Sequence, residues 1–420
     1  MGAILSAPCA CLGSCLGSCA ATAACRSLGS SMSTSRGAKL FYVVIVFLSA
    51  LLALLARYAS GSLFQRMDLF SMASCVSAGC FQVHAAFRIC IAMFAFFVIM
   101  GVMSAAHGPF HFGHAPLKLL FWLVLIVFAF LLPNSFDDGF AKFALGGAGV
   151  FLLLQIMVLI SFSYDWNSSW TSTEERPWLI AVVVVSATLW FGSVVVTAFF
   201  YSWFAVGDAC GFQQAVITVN LLAAVLYTAL ALSSFAPHGT LLTSSVMFAY
   251  NTFTMYGALS ADPSACNRSG VSLTAFSTWG LVITAVTLCW SAFSLSRTTL
   301  FGEGRPALDV TTEADPPADA EQASQPIGHL DEEQMATLRF SNAQFHLLMA
   351  LSSLYITMAV SGWATAIPND ESNSSQRGVG APVMWVALTT TWATTLLYLW
   401  TLCAPRCLPD RDFGVDINAS

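Results

Sequence analysis

Apolar and polar residues alternate along this chain in long blocks: stretches of about twenty mostly apolar residues, parted by short polar breaks. Wound as a helix, a stretch of that length covers the roughly 30 Å hydrocarbon core of a bilayer. Residues 117–132 and 179–200 show the pattern most plainly. The blocks predict spans at 39–57, 81–106, 115–133, 139–163, 177–204, 212–235, 238–259, 271–296, 338–363 and 382–403. The seventh, TLLTSSVMFAYNTFTMYGALS, is the least apolar because of its Ser and Thr. The fourth and eighth are long enough to cross at a steep tilt. Pro116, Pro177, Pro237 and Pro382 stand near span starts, where a missing N–H is tolerated. The expected fold class is all-α, a polytopic integral membrane protein of about ten transmembrane helices.

Composition agrees: 57% of residues are hydrophobic and 9% charged, against about 25% charged in a soluble domain. The opening MGAILSAPCACLG lacks the basic and apolar regions of a signal peptide, so the first span is expected to be an uncleaved anchor. Nine of the 22 carboxylates fall between Glu303 and Glu333, beside a single Arg305, and elsewhere charge is close to even. Nucleic acid therefore has no electrostatic footprint here. The acidic stretch has no apolar period and several prolines. Its reading is a disordered loop, either a solvated linker or a docking site for trafficking factors. The expected organisation is a Cys-rich segment 1–38, helices 1–8 over 39–301, the acidic loop 302–337, helices 9–10 over 338–405 and a tail 406–420.

An even number of spans returns both termini to one side. Arg26, Arg36, Lys39, Arg176, Arg297, Arg305, Arg339, Arg406 and Arg411 gather on that side, against Arg57, Arg66, Lys142, Arg268 and Arg377 on the other. That excess places both termini, the segment 1–38, the acidic loop and the tail in the cytoplasm, in an endomembrane or the plasma membrane. Sequons at Asn267 and Asn373 then face the lumen or exterior and are candidates for N-glycosylation, whereas the one at Asn167 stays bare. Cys75, Cys80, Cys210 and Cys266 share the oxidising side, where Cys75–Cys80 and Cys210–Cys266 are plausible disulfides. Cys9, Cys11, Cys15, Cys19 and Cys25 crowd the cytoplasmic start. Gly2 fits a myristoylation pattern, and lipidation of Gly2, Cys9, Cys11, Cys15 and Cys19 would pin the segment to the inner leaflet; a metal site and an unmodified segment are the other readings.

Arg88 lies inside the second span and Lys118 near the start of the third. A cation at a helix centre is unfavourable by about 2.5–3.5 kcal/mol, so each must face protein, water or a lipid headgroup. Arg88 holds either a phosphate or carboxylate in a groove, or an internal ion pair. Lys118 has the further option of snorkelling to the interface. Thr240, Ser244, Met247, Asn251 and Thr254 recur on one stripe of the seventh span. The stripe reads as a furrow for sliding headgroups, or as interhelical packing. In YDWNSSW, Trp166 and Trp170 suit an interfacial belt, with Asp165 and Asn167 as headgroup contacts. Asp137, Asp138 and Lys142 read as the cap of the fourth span. His107, His111 and His114 read as a solvated loop rather than a metal site, because Pro109 interrupts them. No nucleophile elbow, P-loop, H-E-x-x-H or dinucleotide fingerprint occurs. The expectation is a protein that is no enzyme and needs no cofactor and no metal.

The chain resembles the serine incorporator (Serinc) family along nearly its whole length. The resemblance rests on the Cys-rich start, AAFRICIAMF (85–94), YDWNSSW (164–170), GTLLTSSVMFAYNTFTMYGALSADPSACN (239–267), FHLLMALSSLYITMAVSGW (345–363) and MWVALTTTWATTLLYLWTLCAPRCLPDRDF (384–413). It implies ten helices in two helical subdomains, with lipid held in grooves. It also implies support of phosphatidylserine and sphingolipid biosynthesis, movement of phospholipids between leaflets, and homo-oligomers. The expected partners are membrane phospholipids and sphingolipids, and serine. The rival readings are a small-molecule (serine) transporter and a scaffold for lipid-synthesising enzymes; the scarcity of charge within the spans favours lipid over solute. The sequence departs from the family in its His-rich loop HGPFHFGHAPLK and its short acidic loop.

Overall fold

The computed structural model describes residues 34–58, 78–172, 175–236, 239–267, 274–294, 310–311, 325–326, 330–363 and 377–407. Ten α-helices lie among them: α1 (Ser35–Tyr58), α2 (Ala78–Ala106), α3 (Ala115–Ala129), α4 (Asn134–Thr171), α5 (Arg176–Phe204), α6 (Gly211–Ala231), α7 (Leu241–Ala261), α8 (Thr274–Ser294), α9 (Glu332–Ser361) and α10 (Arg377–Cys407). Each falls on one of the ten apolar blocks. Seven of them (α1, α2, α4, α5, α6, α9 and α10) are long and apolar enough to cross a membrane. The helix α3 and the apolar part of α8, Trp279–Trp290, are shorter. The helix α7 has the length, but its Ser, Thr and Asn dilute its apolarity. The protein is an all-α, multi-pass membrane protein.

Several helix ends differ from the pattern's prediction, and in α9 and α4 a local reason is visible. The helix α9 starts at Glu332, inside the acidic stretch, because a reciprocal capping box forms there. Asp331 Oδ1 accepts from the Gln334 amide at 2.7 Å, and Gln334 Oε1 accepts from the Asp331 amide at 3.1 Å. The helix α4 starts behind the extended Pro133 and continues through YDWNSSW to Thr171, with no proline or glycine after Gly149 to stop it.

The chain divides into two units. The first comprises residues 1–53, 88–132 and 288–353, and the second 54–87, 133–287 and 354–420. In the first, Tyr42 of α1 is fully buried among the rings of Phe96, Phe97, Phe345 and His346. In the second, α7 is central and packs against α4, α5, α6 and α10. Around it lie Ile156, Tyr227, Met247, Phe248 and Tyr398 in one cluster and Phe200, Phe204, Ile217, Met255 and Leu388 in another.

Burial follows polarity in the sense that a lipid solvent requires. Only 11% of the most apolar stretch of α5 is buried, and Ile180, Val183, Phe191 and Val195 project outward. The hydroxyl-rich α7 is buried on nearly every face. In water that order would be unstable. In a bilayer the apolar side chains are at home outside, and polar groups find partners only within the protein.

Candidate functional site

Within the first unit, α1, α2, α3, α9 and the turn before α3 bring together an unusual set of buried groups. Lys39, Lys118, His111 and His346 are each no more than 3% exposed. The turn Gly108–His111 opens on Pro109, and its backbone delivers His111 inward. His111 Nδ1 lies 3.0 Å from His346 Nε2, while the far nitrogens, His111 Nε2 and His346 Nδ1, are buried without partners. Burial first, then the neighbouring His346, Lys39 and Lys118, holds the His111 imidazole well below the usual histidine range. A neutral imidazole gives the pair one ring donor and one ring acceptor.

Lys118 enters this cluster from the first turn of α3. Its ammonium donates to the carbonyls of His111 at 2.9 Å and Phe112 at 3.1 Å, and sits 5.5 Å from the ring centroids of both Tyr42 and Phe110. Tyr42 Oη donates to the same His111 carbonyl at 3.1 Å. An ammonium has three donors, so one N–H of Lys118 remains uncommitted among these partners. Lys39 lies 5.9 Å from the Phe345 ring centroid. The close approach of α2 to α9 is made by Gly101, where a Cβ would stand 3.2 Å from His346 Cβ.

Arg88, read as either a groove residue or an internal partner, meets backbone at a helix end. It is 2% exposed and donates from Nη1 to the Phe130 carbonyl at 3.0 Å, at the C-terminal end of α3 where the helix dipole favours a cation. The seventh-span stripe, read as furrow or packing, makes side-chain contacts with α10. Ser244 Oγ lies 2.8 Å from Tyr398 Oη, Asn251 Nδ2 donates to Thr395 Oγ1 at 3.1 Å, and Thr254 Oγ1 lies 2.9 Å from Thr391 Oγ1. Thr240 is the N-cap of α7 and accepts from the Thr243 amide at 3.1 Å. These are packing contacts between small hydroxyl residues, the other reading of the stripe. Gln155 does similar work, donating to Thr284 and Thr287 of α8.

Asp137, expected at the start of the fourth span, lies in the first turn of α4 and is fully buried in the second unit. Its Oδ2 lies 2.6 Å from Nδ1 of the buried His84 on α2. Sequence reasoning passed over His84, although an ionisable residue inside a predicted span is itself the signal. The His-rich loop is also corrected: His107 and His114 are exposed, but His111 is not. Among the described residues no three metal-ligating side chains cluster. Asp165 is exposed and Asn167 half-buried, both on α4.

Cys210 and Cys266 are joined, with Cα atoms 5.7 Å apart. Asn267 beside them donates from Nδ2 to the Ser260 carbonyl at the end of α7, at 2.9 Å. Cys75, Asn373, Gly2, Cys9, Cys11, Cys15 and Cys19 lie outside the described residues, as does the side chain of Cys80.

The Serinc family model, described as serine incorporator, matches residues 13–411. Serine incorporator 3 of Bos taurus is 25% identical over 378 residues, covering 78% of this chain and 79% of the bovine protein. A probable serine incorporator of Dictyostelium discoideum is 27% identical over 414 residues, covering 91% of this chain and 96% of its own. Serine incorporator 2 of Bos taurus is 28% identical over 366 residues, with 79% of each chain covered. With its helices on the apolar blocks and this match running almost end to end, the chain belongs to the serine incorporator family.

Proposed function

We propose that this protein handles phospholipid headgroups inside the membrane, moving phospholipid between leaflets and so supporting the supply of serine-derived lipids, phosphatidylserine and sphingolipids. The observation that carries the reading is Lys118: a buried ammonium held by two carbonyls, with one donor uncommitted, beside two unpartnered imidazole nitrogens. Such a group prefers an anionic partner, and a headgroup phosphate or carboxylate supplies one. The role is one of binding and passage, with no bond made or broken by the protein. Its partners are phospholipids and sphingolipids, with serine as a second ligand class and self-association in the membrane. Both termini face the cytoplasm, which leaves the Cys210–Cys266 bridge on the oxidising side.

Purified protein in liposomes tests this by following fluorescent phospholipid exposure and radiolabelled serine uptake side by side. Lys118→Met is expected to lower lipid exposure at least tenfold per folded molecule, whereas Arg88→Gln is expected to lower thermal stability and leave the rate per folded molecule intact. Serine uptake without lipid exposure would favour the transporter reading. Neither activity would favour a scaffold.

A further inference from the structure

The C-terminal end of α4 and the start of α5 carry a ladder of aromatic rings in the second unit. Phe162 and Trp166 have ring centroids 5.5 Å apart, Trp166 and Trp170 5.3 Å, and Trp170 and Trp178 5.4 Å. The Trp166 and Trp170 rings are nearly perpendicular, at 87°. In such a pair one ring stands on the other, and the corner between them presents a π face from each. Both indoles are half-buried, and Trp178 is 42% exposed. Asp165 beside Trp166, and Glu175 and Arg176 just before Trp178, are exposed.

Depth places this corner among lipid headgroups. The 38 residues of α4 extend about 57 Å at about 1.5 Å per residue, nearly twice the hydrocarbon thickness. The apolar run of α4 ends before Tyr164, so the last two turns stand at the interface, beside the proline-marked start of α5. An interfacial tryptophan belt needs amphipathic rings, but it does not need them set at a right angle into a corner.

We infer that Trp166, Trp170 and Trp178 form a binding site for the choline headgroup of a phospholipid. The quaternary ammonium sits in the indole corner, where ring quadrupoles attract a cation that has no N–H to donate. The exposed Arg176, two residues before Trp178, supplies a guanidinium for the phosphate. The inference rests on the headgroup-handling reading only in sharing a membrane-embedded α4 and α5. It requires no lipid movement, so a binding readout separates its failure from a failure of that reading.

The test is retention of lipid by purified protein in nanodiscs containing equal phosphatidylcholine and phosphatidylethanolamine in a phosphatidylglycerol background, read by native mass spectrometry after release. Phosphatidylcholine is expected to be enriched about fivefold over phosphatidylethanolamine on the wild type. Trp170→Ala is expected to abolish the enrichment, and Trp170→Phe, which keeps a π face, to preserve most of it. Because the two lipids compete in one sample, a loss of folded protein does not change their ratio. Equal retention on the wild type, or an enrichment that survives Trp170→Ala, overturns the site.

Discussion

A single ring, that of His111, shows how much a buried position changes a residue's chemistry. Sequence placed it in a solvated His-rich loop, because Pro109 breaks the regular spacing and neighbouring His107 and His114 are indeed exposed. No local pattern reveals that a 3-10 turn aims one of the three inward at His346, 235 residues away. The consequence is measurable. Denatured His111 takes a proton near the ordinary value of 6.5, whereas the folded ring resists it, so below that pH the denatured state binds more protons than the folded one. Stability should therefore fall as pH drops below about 6.5, by up to about 1.4 kcal/mol per pH unit for one such group. His111→Gln should flatten this acid limb of the thermal-melting profile while leaving the neutral region close to its starting slope. An unchanged limb in that variant would assign the acid sensitivity elsewhere. Lys118 and Arg88 were legible as embedded cations, since charge in an apolar run always demands a partner. Which of them meets carbonyls at a turn and which holds a helix end was not legible, because backbone oxygens carry no sequence signal, whether six residues away or 42.

Helices were the most legible level, since an apolar run of span length admits little else in lipid. The errors lay at the ends, where polar chemistry decides. The Asp331–Gln334 capping box extends α9, and the absence of a proline or glycine in YDWNSSW lets α4 run on. The polar stripe of α7 was left open as furrow or packing, and the threonines and Tyr398 of α10 that meet it lie far along the chain, out of reach of any local pattern. Close approach at this scale is set by small residues. At Gly147 of α4 a Cβ would collide with the Leu354 side chain of α9, whereas at Gly146 it would meet nothing within 4 Å. Gly147→Val should accordingly lower the melting temperature of the detergent-solubilised protein by several degrees, an overpacking penalty of about 1–3 kcal/mol. Gly146→Ala should be neutral or slightly stabilising, because alanine is the better helix former. Equal effects of the two substitutions would mean that helix propensity, and not the approach to α9, governs this stretch.

For the molecule as a whole, composition fixed the solvent and the solvent fixed the order of burial: α5 outward, α7 within. Family and fold class followed from the pattern and the matched blocks, while the pairs that the chain makes across long separations did not. The Cys210–Cys266 bridge is the exception: the sequence offered that pair on the oxidising side without fixing the connectivity, and it forms. Peptide mapping should find these two cysteines linked before reduction and free after it. Recovery of both as free thiols from unreduced protein would overturn the bridge and count against the orientation that places it on the oxidising side. The bridge also has a mechanical meaning. Cys210 stands immediately before α6 and Cys266 shortly after α7, while a short loop joins the same two helices at their other ends. The helices α6 and α7 are thus clasped at both tips into a closed covalent ring, which can neither fan apart nor slide far in register. Any opening within this unit then falls to the helices packed against that ring, α4, α5 and α10, so the moving parts are to be sought there.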